Sequence, residues 1–305
     1  MTTDERSRST GSDPVHAPVL VAEVVAHLAP RPDGVYVDCT VGLGGHTAAL
    51  LAAGAGRVIG IDRDTAALAH ARARLGADTA RVDLVHADYR DLAAVLRRCG
   101  VVQVAGAVAD LGISSMQVDD PARGFSFRHA GPLDMRMDQS GGATLAERLQ
   151  ATTESDLADV IFQFGEERHS RRVARAIVRA RDAGSLVTTA DLAAVVRRAA
   201  GGGRWQRLDP ATRTFQALRI WVNAEIDGLG AFIDTATGAL QPRGRLAVIA
   251  FHSLEDRVVK HTMRRLAADG VAAVVTKRPI EPGDDEIARN ARARSAKLRV
   301  LEKAA

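Results

Sequence analysis

Four short runs, VYVDCT (35–40), RVIGID (57–62), VDLVHA (82–87) and VAGAVADL (104–111), are apolar along most of their length instead of at every second position. Helical stretches near 46–54, 65–75 and 91–98 separate them. Strands that are apolar on both faces belong in a sheet covered on both sides, and one helix between successive strands suits a right-handed parallel crossover. The pattern predicts a doubly wound, mostly parallel, Rossmann-like α/β sheet. It breaks off after residue 111. TLAERLQ, ESDLADVIFQFG, RRVARAIVRARD and TTADLAAVVRRAA, between 144 and 200, are all helical in period, and a long helix follows at about 213–227. The sheet pattern returns with GRLAVIAF (244–251), a helix over 254–268, AAVVTKR and KLRVLEK. The simplest arrangement is a sheet domain made from residues 16–138 and 213–305, interrupted by an all-helical insertion over 139–212. APVLVAEVVAHLAP (17–30) reads as an amphipathic helix stopped by Pro30 and Pro32, and the polar residues 1–15 are expected to be a disordered tail.

A chain of 305 residues with 46% hydrophobic content can bury a large core and suits one big domain or two. No window reaches the roughly 18 uninterrupted apolar residues of a membrane helix, and MTTDERSRSTGSDP lacks the apolar core of a secretory signal. A cytoplasmic location without membrane contact is expected. Cys39 and Cys99 stand far apart with no CxxC or His/Cys cluster, so neither a disulfide framework nor a metal site is indicated. The net charge of +4 is modest, but from Phe164 to Arg219 twelve arginines face five acids. Such a local excess is either a solvated face or a nucleic-acid footprint.

VDCTVGLGGHT (37–47) places an acid at a strand end, then Gly42, Gly44 and Gly45, then a helix. Glycines let backbone approach a ligand, and the helix start offers free N–H groups. Asp62 ends the next strand, where a carboxylate can receive both hydroxyls of a ribose, and Tyr89 follows the third, where a ring can stack on adenine. A dinucleotide cofactor wants a third small residue at position 47, which is Thr. S-adenosylmethionine needs no pyrophosphate seat and suits the turn better. A nicotinamide oxidoreductase stays open on these residues alone.

ADLGISSMQVDD (109–120) ends the fourth strand and puts Asp110 where amino-group methyltransferases of this fold carry a reacting-site residue. Methyl transfer to an exocyclic amine needs alignment and an acceptor for its N–H bonds, which a carboxylate supplies. Carbon-5 methylation of a pyrimidine would need a cysteine nucleophile, and neither cysteine follows the fourth strand. Ser114, in the same loop, and His252, in FHSLEDR (251–257), are further candidates for the reacting site. RGFSFRHAGPLDMRMD (123–138) has no regular period; Phe125 and Phe127 can wall a flipped base, and Arg123 and Arg136 can hold phosphates or fold back onto acids. Along ERHSRRVARAIVRA, Arg168, Arg171, Arg172 and Arg175 recur at helical steps, a cationic ridge suited to an RNA backbone.

HAPVLVAEVVAHL, DGVYVDCTVGLGGHT, DLGISSMQVDDPARGFSFRHAGPLDMRMD, GEERHSRRVARAIV, DPATRTFQALRIWVNAEI, VIAFHSLEDRVVK and NARARSAKLRV resemble, in order, the signature blocks of the bacterial ribosomal RNA small subunit methyltransferase H family, also called MraW. The resemblance implies transfer of a methyl group from S-adenosyl-L-methionine to N4 of a cytidine in the decoding region of 16S ribosomal RNA, with the small ribosomal subunit as partner. It implies cofactor contacts at Gly44, Gly45, His46, Asp62, Tyr89, Asp110 and Gln117. Met116 stands where the family usually has Pro, and Cys39 where a smaller residue is common. A non-catalytic ribosome-assembly factor is the remaining alternative.

Overall fold

Seven strands form one sheet in the order β3-β2-β1-β4-β5-β7-β6. They are β1 (Val35–Asp38), β2 (Arg57–Asp62), β3 (Val82–His86), β4 (Val104–Asp110), β5 (Leu240–Ala250), β6 (Ala272–Val274) and β7 (Lys297–Lys303). β1 to β5 pair in parallel, and β7 runs antiparallel between β5 and β6. The doubly wound, mostly parallel sheet expected from the sequence is present, in a computed structural model that describes residues 18–201 and 209–305. The tail over 1–15, His16, Ala17, Arg204 and Arg207 lie outside these residues.

The helices are α1 (Val21–Leu28), α2 (Gly45–Ala52), α3 (Thr65–Leu75), α4 (Leu92–Arg98), α5 (Ser115–Asp119), α6 (Leu145–Ala151), α7 (Glu154–Gly165), α8 (Ser170–Asp182), α9 (Thr189–Ala200), α10 (Ala211–Asn223), α11 (Leu229–Ala239), α12 (Ser253–Ala268) and α13 (Asp284–Arg289). One face of the sheet is covered by α4, α11 and α12, through Leu92, Phe232 and Val259. The other is covered by α1, α2 and α3, through Val24, Leu50 and Leu75. Double coverage explains why the strands are apolar on both faces.

A third apolar cluster joins α6 to α10 through Leu145, Ile161, Ile177, Leu192 and Leu218. Threonine starts three of these helices. The hydroxyls of Thr144, Thr153 and Thr188 accept the N–H of Glu147, Asp156 and Asp191. Each cap contributes about 1 kcal/mol. α10, expected to belong with the sheet, gives Phe215, Leu218 and Val222 to this cluster.

Some boundaries differ from expectation. The helix expected at 213–227 ends at Asn223 because Ala224 turns left-handed at φ 50°. β5 starts at Leu240, ahead of a register shift opposite Val104 and Gly106. AAVVTKR contributes three strand residues only. Among the described residues no helix is long and apolar enough to cross a membrane.

Candidate active site

The carboxyl ends of β3, β2, β1, β4 and β5 open onto one cleft, whose lining includes Tyr89, Asp62, Gly42, Asp110 and Phe251. Buried Asp38 organises the turn after β1. Its carboxylate accepts the Thr40 N–H at 3.2 Å and the Thr47 hydroxyl at 2.7 Å. Burial pushes the Asp38 carboxyl above its ordinary pKa, with the neighbouring His46, Thr47 and Thr40 pulling against it.

Gly42, at φ 52°, donates its N–H to Asp62 Oδ2 at 2.7 Å. That conformation disfavours any residue with a Cβ. Asp62 Oδ1 accepts the Asp64 N–H at 2.8 Å, so each oxygen keeps lone-pair capacity for a further donor. Burial raises Asp62 to about 6, against the opposing pull of the Asp64 and Gly42 N–H groups. Gly44 faces away from the cleft lining. It caps α2 at φ 76°, and an added Cβ would lie 3.3 Å from Ala71 Cβ. Gly45 lines the cleft and leaves no room beyond Pro18, whose Cγ would be 2.6 Å from a Cβ there.

Tyr89 lines the cleft with its ring edge-on to Phe232, centroids 4.7 Å apart. Burial lifts its phenol well above the usual range. His46, 4% exposed, sits on the first turn of α2 with Nε2 3.5 Å from Asp110 Oδ2. Burial alone would lower its pKa, but Asp110, Asp38 and Glu286 raise it overall. Asp110 Oδ1 is buried and has no hydrogen-bond partner among the described residues. The backbone N–H of Asp110 donates to Thr40 Oγ1 at 2.6 Å, fixing the strand tip.

Ser114 and Gln117 line the cleft but also close a capping box on α5. Ser114 Oγ accepts the Gln117 N–H, and Gln117 Oε1 accepts the Ser114 N–H. Gln117 Nε2 donates to Asp64 Oδ2 at 2.8 Å, the same oxygen that accepts from Arg123 Nη1 at 2.7 Å.

His252 is not part of the cleft lining. It caps α12, where Nδ1 accepts the Glu255 N–H at 3.3 Å. Its Nε2 lies 3.2 Å from Glu255 Oε1 but off line for a hydrogen bond. Glu255 does reach the cleft, as does Glu225, which is forked by the half-buried Arg219 at 2.9 and 2.8 Å. Donor atoms of Glu225, His252 and Glu255 fall within 4.8 Å of one another. The cation among them here is Arg219. Burial would raise the Glu255 carboxyl, but His252, Arg219 and the Phe251 N–H together bring it below its ordinary range.

Several expected RNA contacts are turned inward. Arg123 is 5% exposed, paired with Asp64 and donating to the carbonyls of Arg136 and Met137 at 3.0 and 2.8 Å. A buried guanidinium needs such partners, and this one finds them inside the protein. Phe125 is buried in the helical cluster, and Phe127 packs edge-on against Phe215 beneath Arg197. Arg136 forks onto Asp134 and donates to the carbonyls of Gly141 and Gly142. The segment 123–138 is therefore a strap between the sheet and the helical cluster. Asn223 clamps it by accepting the Met137 N–H and donating to the Met135 carbonyl, both at 2.8 Å.

Arg168, just ahead of α8, and Arg171, Arg172 and Arg175 on it are all exposed, as the ridge pattern requires. Arg172 donates to the Ala200 carbonyl, and Arg175 pairs with Glu154 at 3.1 Å. Sequence reasoning missed Glu225, Glu255 and Phe251. Glu255 lies within the FHSLEDR stretch, but nothing local marks it as the cleft residue instead of His252. Glu225 carries no local signal, because Arg219 and the fold bury it.

A family model described as the MraW methylase family matches residues 13–304. Relatives named ribosomal RNA small subunit methyltransferase H include one from Sorangium cellulosum, 54% identical over 288 residues, covering 94% of this chain and 90% of that protein. One from Nitrobacter winogradskyi is 49% identical over 302 residues, covering 94% and 90%. One from Deinococcus radiodurans is 48% identical over 302 residues, covering 98% and 94%. Matched along nearly its whole length, this chain belongs to the MraW methylase family of S-adenosylmethionine-dependent methyltransferases.

Proposed function

We propose that the chain transfers a methyl group from S-adenosylmethionine to the exocyclic N4 amine of a cytidine in the decoding region of 16S ribosomal RNA, acting on the small subunit. The names of the relatives supply the ribosomal RNA, and the family resemblance supplies the base and its position. The observation that best supports amine chemistry is Asp110 Oδ1, a buried acceptor with no partner at the tip of β4. Leaving such a group unpaired costs about 1–3 kcal/mol, so a site built this way favours a ligand that donates to it.

The residues fit the cofactor. Asp62 retains acceptor capacity for a ribose diol, Tyr89 offers a ring, and the Gly42–Gly45 turn admits close backbone approach. Position 47 speaks against a dinucleotide, since Thr47 is fully buried and bonded to Asp38. When bound, S-adenosylmethionine supplies an electrophilic methyl group on a positively charged sulfur. Asp110 Oδ1 accepts an N–H of the acceptor amine and directs its lone pair. His46 Nε2 lies 3.5 Å from the other oxygen, Oδ2, close enough to add positive charge beside it when protonated. As the new N–C bond forms and the S–C bond breaks, the amine nitrogen gains positive charge that the carboxylate stabilises. Asp110 then takes the released proton and passes it to water.

In this reading residues 16–138 and 213–305 form the methyl-transferring domain and 139–212 the part that engages RNA, with α10 packed on the helical side. Arg168, Arg171 and Arg172 contribute to the RNA-facing ridge. Ser114 and Gln117 shape the loop, and the protein works without a bound metal. The test is incubation of purified protein with labelled cofactor and small subunits lacking the modification, followed by mass mapping of the RNA. Label on any atom other than a cytidine N4 rejects the reading.

A further inference from the structure

Across the sheet the cleft residues follow strand order: Tyr89 at β3, Asp62 at β2, Gly42 at β1, Asp110 at β4. A cofactor with its adenine at Tyr89 and its ribose at Asp62 uses up the first three tips. Its methyl group then lies toward β4, and an acceptor base must approach over β4 and β5. Asp110 pairs in register with Ile249, so the chain beyond β5 reaches this side within a few residues. There the cleft is lined by Phe251 and Glu255. Phe125 and Phe127, the rings expected to face a base, lie within the helical cluster instead.

We propose that Glu255 selects the acceptor: its carboxylate receives one N–H of an exocyclic amine while Asp110 receives the other, with Phe251 flanking the base. The proposal rests on the amine-methylation reading above. An exocyclic amine has two N–H bonds, and receiving both on carboxylates fixes its lone pair out of the base plane, where the methyl group arrives. A keto base of the same shape, such as uracil, would turn a carbonyl oxygen toward two negative groups and be rejected. Glu255 is built for this. It is 1% exposed, Oε2 accepts the Phe251 N–H at 2.9 Å, and His252 Nε2 lies beside Oε1 at 3.2 Å. His252 in turn receives the Glu255 backbone N–H and is a positioning residue. Arg219 satisfies Glu225 and adds positive charge nearby, so the carboxylate stays ionised although buried.

The experiment uses the full chain, unmodified small subunits and labelled cofactor, with free cytidine and uridine as competing inhibitors. Wild type is expected to be inhibited more strongly by cytidine than by uridine. Glu255→Gln keeps the size, loses the charge and presents an N–H to a keto group. It is expected to erase that preference and lower kcat by about tenfold or more, with cofactor affinity from calorimetry unchanged. Glu255→Asp, which keeps the charge, should retain the preference. A Glu255→Gln protein that melts like wild type and still prefers cytidine overturns the proposal while leaving amine methylation intact. Wild type that labels a position other than an amine overturns both. If Glu255→Gln does not fold, wild type decides with N4-methylcytidine, which keeps one N–H, enough for Asp110 alone but not for two carboxylates. Competition as strong as that of cytidine overturns the proposal, and weakened competition supports it.

Discussion

Asp110 Oδ2 lies 3.5 Å from His46 Nε2, while Asp110 Oδ1, on the same carboxylate, is buried with no partner among the described residues. One oxygen faces a buried imidazole that makes no hydrogen bond of its own among the described residues, and the other has no partner. Replacing Asp110 with Ala should lower methyl transfer by about 10²–10⁴-fold. Asp110→Asn separates charge from hydrogen bonding. RNA affinity should change little in either variant, and cofactor affinity must be measured beside the rate, because Asp110 lines the same cleft as Gly42 and Asp62. Near-normal turnover in both variants would remove Asp110 from the chemistry.

Asp62 gives a pH signature. Burial raises its carboxyl to about 6, so the folded protein holds this proton more tightly than the unfolded chain. Its stabilising contribution is complete below the ordinary carboxylate pKa and is lost as pH rises through about 6. Cofactor binding runs the other way, since ribose hydroxyls are best received by the ionised form. Affinity for S-adenosylmethionine should weaken as pH falls below about 6, approaching tenfold per pH unit. Calorimetry across this range measures it, and Asp62→Asn should bind weakly with a flat profile. An equally steep profile in Asp62→Asn assigns the titration to another group.

Arg123 should matter for stability and not for RNA. Among the described residues, Arg123→Met strands Asp64 as a buried charge that keeps only Gln117 and the Ala66 N–H as partners. Breaking a buried pair in this way costs about 3–5 kcal/mol. Urea unfolding should show a loss of this size, and the folded fraction should bind RNA with unchanged affinity. Weaker RNA binding at wild-type stability would return Arg123 to the RNA surface.

The α8 ridge should show in salt dependence. Removing Arg168 or Arg171 should weaken RNA binding and reduce the slope of log affinity against log salt by about 1 for each phosphate no longer neutralised. Arg175→Ala should have a smaller effect, because Glu154 already competes for that side chain. Cofactor affinity should not change in any of them. Equal slopes for wild type and Arg168→Ala/Arg171→Ala would place RNA on another face.

The parallel half of the sheet was readable because doubly covered strands leave continuous apolar runs, as in RVIGID, and because Gly42, Asp62 and Tyr89 sit at strand ends. α11 was not. Its sequence, LGAFIDTATGA, carries glycines at 230 and 238 that weaken a helical reading, and packing of Phe232 and Ile233 in the core holds it helical. The antiparallel place of β7 was equally hidden, since strand direction leaves no mark in composition. At the site, Gly42, Asp62, Tyr89 and Asp110 line one cleft close to where the chain places them. Partners distant in sequence were not legible. Arg123 looks like a phosphate ligand until Asp64, far away in sequence, is seen beside it, and His252 looks like the reactive group until its ring is found capping α12 against Glu255.

The placement of β5 and β7 also governs how the protein can be made. β4 cannot meet its partner β5 until the whole stretch from Leu111 to Ala239 has been translated. At about 5–20 residues per second, that is on the order of ten seconds. Through that interval a nascent chain carries an open strand edge, while the Thr-capped helices of the interruption can assemble through nearby contacts. β6 is translated before β7 yet pairs only with it, so the sheet cannot close until its last-made strand slots in between. Phe251 and Glu255 also lie in this late portion. The cleft that these two residues line is thus incomplete for most of the time the chain is attached to the ribosome that is making it.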